Sequence, residues 1–543
     1  MKLLTPRTVN TTVLLIIIFH SSLFAQFNKT DAKLDLSPDM KEPSNATLHD
    51  YIGEDDANYF LLREKNKRSF VSHTPDYILE SHNKKSFGVS KMQEISPQID
   101  GDDAGINQIL MLNGQLYALI SYYSKKKDQL VLYVQPISKS SLQLSGAPKQ
   151  LMMMPVKNKR NEGSFNAKIS RDRKTVAIFG FVADEKQTSQ RYNLVVMDDE
   201  MKVKWQKEIM LPYDSKLFAT ERSYCDNDGN AYVLGRLYKE MVKEKRSGEP
   251  NYVYKMLAYR EDGESFKEYT LSLKDNFITD MSFGVTDDGK LICAGFYSAR
   301  GTFSIKGTYC MQIDVESGDV LKEGTRNFDP EFLEMFRPSE KKGKDEKEDK
   351  KEDKNPKKST GSELVDFDLD DVIPRSDGGA VLIAEQYYVS TYTTSSYNSA
   401  TKSYSYSTHY VYHYNHIIAV NVNADLQIDW AVKIPKVQAS EGGKYYLSYT
   451  KAIHGDKIYF IFNDNEKNLA ENDPKRIAPY DGRSSIATLV TLRDDGSWKK
   501  SYIFSNKSEG VILRPVVSEQ INEHQVFLYA EKGKNYMIGT LTF

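Results

Sequence analysis

The 543-residue chain sets 73 Lys and Arg against 75 Asp and Glu, a formal net charge of -2, and carries 35 Tyr and 24 Phe. So even a balance argues against a nucleic-acid partner, which calls for a basic face to neutralise phosphates. Length alone would allow several domains, but an internal repeat points to a single closed unit.

From the N-terminus, residues 1–25 have the layout of a secretory signal peptide: Lys2 and Arg7, an apolar run from Val13 to Phe19, then mostly small residues to Ala25. The run is too short to span a bilayer, which takes roughly 20 residues. No Cys follows Ala25 to carry a lipid, and no later segment is apolar enough to cross a membrane. The chain is therefore expected to be secreted, periplasmic or cell-surface. Residues 26–50 read as a flexible linker, and 51–543 as the folded unit.

Within that unit one phrase recurs seven times: a tight polar turn between two runs of β-formers. The turns centre on residues 114, 173, 229, 289, 378, 456 and 524, at spacings of 59, 56, 60, 89, 78 and 68. A period near 60 is enough for a four-stranded sheet and favours propeller blades over solenoid coils. In the third repeat, Phe218 to Tyr224, Ala231 to Gly235, Tyr252 to Tyr259 and Phe266 to Leu273 read as four strands. The last repeat supplies three, Val511 to Ser518, Val526 to Ala530 and Tyr536 to Phe543. Phe87 to Ile95 has strand composition and no repeat of its own, so it is expected to complete the closing blade and remove two exposed edges. The prediction is an all-β, seven-bladed β-propeller closed by an N-terminal strand in the last blade. Six or eight blades stay open, since residues 57 to 82 also hold strand-like pieces.

Two segments interrupt the repeat. Within residues 337–363, Ser339 to Lys358 is almost wholly Lys, Glu and Asp with no apolar residue, which predicts a disordered loop. Ahead of them, Asp329 to Phe336, with Pro330 at the first helical position, predicts a short helix on the rim. The second interruption is the Tyr-rich stretch 387–416. Three cysteines, Cys225, Cys293 and Cys310, cannot all pair; buried free thiols are favoured, with Cys293–Cys310 the one disulfide open.

Trp205, Trp430 and Trp498 each lie between a polar turn and a strand. This resembles the aromatic near the blade end in quinoprotein-like bacterial propeller repeats. The resemblance implies the architecture only: Gly is absent before Trp205 and Trp430, no adjacent Cys pair exists, and pyrroloquinoline quinone binding is not carried over.

The candidate binding residues are tyrosines. Tyr404, Tyr406, Tyr410, Tyr412 and Tyr414 are all even-numbered, so an extended strand places them on one side. Tyr388 and Tyr392 are expected to join them if Asn398 to Lys402 forms the turn of a long hairpin. A phenol ring, flat and apolar with a polar tip, suits sugars and protein surfaces alike; a stabilising cross-strand ladder is the competing explanation. A metal site at His409, His413 and His416 is not expected, because residues four apart on a strand lie roughly 13 Å apart. Asp226 to Asn230 resembles a calcium loop, but Leu237 stands where the bidentate Glu belongs, which favours a hairpin turn. No zinc helix, nucleophile elbow or phosphate loop is present, and no cofactor is expected. The chain thus reads as a non-enzymatic propeller that binds a protein or glycan partner. The alternative is an extracellular polysaccharide hydrolase or lyase with carboxylates at the channel, gathered from separate blades.

Overall fold

The computed structural model describes residues 29–65, 76–156, 163–181, 189–240, 245–246, 249–273, 276–286, 290–299, 301–302, 304–336, 363–469, 471 and 476–543. The expected signal segment and residues 337–362 of the charged insertion lie outside them. Among the described residues, seven antiparallel sheets follow one another along the chain, each built on a four-stranded meander, and an eighth joins C-terminal strands to N-terminal ones. Blade 1 comprises Ala46–Glu54, Asn58–Lys65, Asp76–Asn83 and Val89–Ile95. Blades 2 to 7 start on the inner strands Gly105–Leu112, Ser164–Ile169, Phe218–Cys225, Phe277–Val285, Phe367–Pro374 and Thr450–His454. In blade 8, Ile512–Leu513 and Glu519–Asn522 share the inner position before Gln525–Lys532 and Asn535–Thr542.

Eight apolar clusters lie between the sheets, and each joins two consecutive blades. Phe60 and Leu79 of blade 1 meet Ile109 and Ile120 of blade 2. The series returns to its start where Tyr59 and Leu61 of blade 1 pack on Phe527 and Ile538 of blade 8. Sheets that bury both faces against neighbours in a ring form a β-propeller, which explains the nearly continuous apolar second strands such as Thr175–Phe181. Outer strands such as Val320–Asn327 are largely exposed.

Among the described residues eight blades are seen rather than seven, because Ala46–Glu54, Asn58–Lys65, Asp76–Asn83 and Val89–Ile95 make one of their own. Its first turn is an Asx turn in which Asp55 Oδ1 accepts the N–H groups of Ala57 and Asn58 at 3.0 and 2.8 Å. This corrects two further expectations. Val89–Ile95 pairs with the adjacent strand Asp76–Asn83 and not with the C-terminus. The closing strand comes from the supposed linker: Lys33–Leu36 pairs with Gly539 to Thr542, and Met40–Lys41 with Asn535 and Tyr536.

The closure is held by buried charge. Arg63, fully buried, pairs with Glu80 at 2.8 Å and with Glu42 at 2.9 Å. Its guanidinium lies 4.5 Å from the Tyr536 ring centre, and the Tyr529 hydroxyl donates to Glu42.

The strands of the third repeat, its hairpin turn and the short helix form where they are expected, within a few residues. The third-repeat strands are Phe218–Cys225, Ala231–Tyr238, Tyr252–Arg260 and Ser265–Leu271. Asp226 Oδ1 accepts the N–H groups of Asp228 and Asn230 in a hairpin turn. The helix Pro330–Glu334 seats Phe332 between blades 5 and 6. Trp205 and Trp430 donate to Gly229 and Asp494 carbonyls of the following blade. Their rings lie so close over Gly263 and Gly496, both at positive φ, that a Cβ on either would come within 2.8 Å. Cys293 and Cys310 are free. Cys310 pairs in register with Ala294 while Cys293 opposes Met311, so the two thiols face different inter-blade clusters. Glu363, placed in the charged loop by composition, is buried and accepts a hydrogen bond from Ser298 Oγ at 2.8 Å.

Candidate functional site

Strand direction alternates within each meander, so the second-to-third turn of every blade and the link to the next blade fall on one face of the ring. The insertions gather there: Lys245–Arg246 with Glu249–Pro250, Ser304–Ile305 with Leu364–Val365, the helix, and the Tyr-rich hairpin. Blade 6 supplies the hairpin by extending its two central strands to Ala380–Asn398 and Ser403–Val422. The turn falls at Asn398 to Lys402, where Asn398 Oδ1 accepts the N–H of Ala400 at 3.0 Å. β-Branched and aromatic residues favour the extended form throughout.

The two faces differ from the expected arrangement. Across the hairpin Tyr414 opposes Tyr387, Tyr412 opposes Val389, Tyr410 opposes Thr391, Tyr406 opposes Ser395 and Tyr404 opposes Tyr397. Opposed residues share a face, so the five even-numbered tyrosines do line one side, joined by Tyr387 and Tyr397. Tyr388 and Tyr392 belong to the other side, stacked on His413 and His409 with ring centres 4.3 and 4.7 Å apart. The cause is a register shift between Glu385 and Tyr387: before it odd-numbered residues oppose odd, after it odd oppose even, and a bulge of this kind exchanges faces. Tyr397, Tyr404, Tyr406 and Tyr410 are 54, 63, 71 and 56% exposed.

At its root the hairpin is tied to its blade by a buried cation and an added strand. Lys436, with no exposed surface, donates to Glu385 at 2.5 Å, to the Tyr414 carbonyl at 2.9 Å and to Gln438 at 3.0 Å. A fifth strand, Gln438–Ser440, pairs with Tyr412 to Tyr414. His416 is enclosed, and burial, with Lys433 and Lys436 adding to it, pushes its pKa down to about 3. His409 and His413 are engaged by Thr394 and Ser390 at 2.9 and 2.8 Å, and no group of metal-ligating residues forms among the described residues.

Sequence reading missed a second feature, a carboxylate group at the same end of the channel. Asp368 and Asp370 lie on the blade 6 inner strand, where Asp368 opposes Glu385 and Asp370 is the extra residue of a bulge. Asp280 of blade 5 accepts the Leu369 N–H at 2.8 Å, and Tyr449 of blade 7 donates to Asp370 at 2.6 Å. Both Asp368 and Asp370 keep solvent-exposed surface. Desolvation by the surrounding protein is the main cause that raises Asp368 to about 6 and Asp370 to about 7, with neighbouring carboxylates adding to it. The same carboxylates help burial and Tyr387 hold Tyr414 at about 12, so the tyrosine face ends beside the acids. Alternation marks one strand's face; it cannot register that Asp280, Asp370 and Tyr449 converge from three blades.

Further along, the channel is charged. A cavity of ≈530 Å³ is lined by Asp50, Arg173 and Glu519 among others, and one of ≈490 Å³ by Lys168, Arg171, Glu221, Arg222 and Asp371. Arg222 ties three blades, donating to the Met281 and Leu369 carbonyls at 3.0 and 2.5 Å.

The sheet order and the inter-blade clusters define the class of protein, a β-propeller. No family model matches the chain and no curated protein sequence matches it. Among solved structures it is similar to the Dos1 propeller, at 9% identity and TM-score 0.38 over 93% of this chain and 94% of that one. It is also similar to prolyl oligopeptidase B from Galerina marginata (11%, TM-score 0.36, 92% of this chain and 56% of that one). A third is a Synechocystis apocarotenoid oxygenase mutant (9%, TM-score 0.33, 95% and 94%). Among the described residues no helix is long and apolar enough to cross a membrane.

Proposed function

We propose that the protein is a binding module, exported by its N-terminal signal, that recognises a protein or glycan partner at the cell envelope through the Tyr-rich hairpin and the loops around it. One observation carries this reading: Tyr397, Tyr404, Tyr406 and Tyr410 present more than half of their surface to solvent on one face of a projecting ribbon. Exposed aromatic groups of this density mark contact surfaces. The buried Lys436–Glu385 pair at the root holds the ribbon's direction, which lowers the ordering cost on binding. A glycan array and a pull-down from the source cell envelope, run with the wild type and with Tyr404→Ser/Tyr406→Ser/Tyr410→Ser, test it. Loss of the captured ligand in a normally folded variant is expected, and unchanged capture would sink the reading.

The carboxylates favour a second reading, a polysaccharide hydrolase or lyase. Asp370 at about 7 is poised to hold or release a proton near neutral pH, and the tyrosine face leads a chain towards it. Release of oligosaccharide by the wild type but not by Asp370→Asn would establish this version; failure of any bound glycan to be cleaved would reject it.

A further inference from the structure

From Tyr388 to Asn398 the first hairpin strand pairs with the second on one side and, among the described residues, with no strand on the other. Its blade neighbour stops pairing at Gln386. Residues 389–408 are all exposed. A two-stranded ribbon alone is marginal in water, and a long unpaired edge is a template for another strand. Such edges are ordinarily protected by Lys, Pro or a bulge. Tyr388 to Asn398 contains no charged residue, no Pro and no Gly, in a chain that is 27% charged.

We infer that this edge pairs with the same edge of a second copy of the chain, antiparallel across a two-fold axis, to make a four-stranded ribbon. An axis at Thr393 sets Tyr392 opposite Thr394, Thr391 opposite Ser395, Ser390 opposite Ser396 and Val389 opposite Tyr397, each pair across the two copies. Aromatic with β-branched and hydroxyl with hydroxyl are favourable cross-strand combinations, and no like charges meet. A contact that uses the same patch on both copies closes at two chains. The edge pairs through backbone groups, but Thr391, Thr393 and Tyr397 share the tyrosine face, so partner capture is read separately with Tyr404→Ser/Tyr406→Ser/Tyr410→Ser, whose residues lie on the other strand.

Sedimentation of the full chain over a concentration series reads the dimer directly. Thr391→Lys/Thr393→Lys sets the lysine at position 393 opposite its own copy with both lysines at position 391 nearby and is expected to weaken the dimer by at least ~100-fold, while at concentrations too low for the dimer it melts with the wild type because both sites are exposed. Thr393→Cys is expected to cross-link two chains under mild oxidation, whereas Thr401→Cys in the turn does not; the three native cysteines are buried and do not compete. A wild type that stays monomeric at about 100 μM, well above the micromolar range of modest interfaces, overturns the inference. So does a dimer indifferent to the Lys pair, or equal cross-linking from position 401.

Discussion

Two groups of tyrosines divide this molecule. At the ring closure Tyr529 and Tyr536 are buried, stacked with ring centres 5.6 Å apart, and their rings lie under the Arg63 guanidinium. On the hairpin Tyr404 and Tyr406 are likewise stacked, at 6.4 Å, yet exposed by 63 and 71%. The chemistry is the same and the surroundings opposite. Where the ring and hydroxyl are both satisfied, tyrosine holds the fold; where they face water, it is available to something else.

The sharpest test of that contrast is Arg63→Ala, which leaves Glu80 and Glu42 without their cation. Breaking a buried pair in this way costs about 3–5 kcal/mol, measurable by urea denaturation as a lowered midpoint. Next comes Tyr529→Phe, which removes the hydroxyl that Glu42 accepts from; a loss of about 1–2 kcal/mol is expected in the same measurement.

A smaller effect, confined by pH, belongs to the boundary between the two regions. Folded Asp370 titrates at about 7 against an ordinary 3.8, so between those values the folded chain holds a proton that the unfolded chain has lost. Its contribution is therefore fullest below pH 4 and declines as pH rises to 7. Asp370→Asn should match the wild type in melting temperature near pH 4 and exceed it at pH 8; equal curves throughout would mean the carboxyl is fully solvated. Smallest of all, Tyr404→Ser with Tyr406→Ser and Tyr410→Ser should leave stability within about 0.5 kcal/mol. A destabilisation comparable to that of Arg63→Ala would make the hairpin tyrosines structural and erase the distinction.

Local chemistry was legible in the residues themselves. Turn residues and two-residue alternation depend on near neighbours, and so the strands of the third repeat, the Pro330 helix, the Asn398 turn and the common side of the five even-numbered tyrosines could be read directly. Blade 1 was legible only as strand-like pieces between 57 and 82, because its first strand, Ala46–Glu54, begins inside the supposed linker.

The remainder was decided by tertiary structure, because it compares parts of the chain that no local pattern relates. Closing the ring required an edge for Asn535–Thr542, and Lys33–Leu36 took it, with Leu34 and Leu36 packing beside Ile503 and Leu541, because Val89–Ile95 was already engaged by its own hairpin. One register shift at the hairpin root exchanged the faces of Tyr388 and Tyr392. Asp280, Asp370 and Tyr449 came together only because three blades place their inner strands side by side. By itself the sequence determined the units and the exposed tyrosines; contact between distant units determined how many there are, which strand closes them, and which acids the tyrosine face meets.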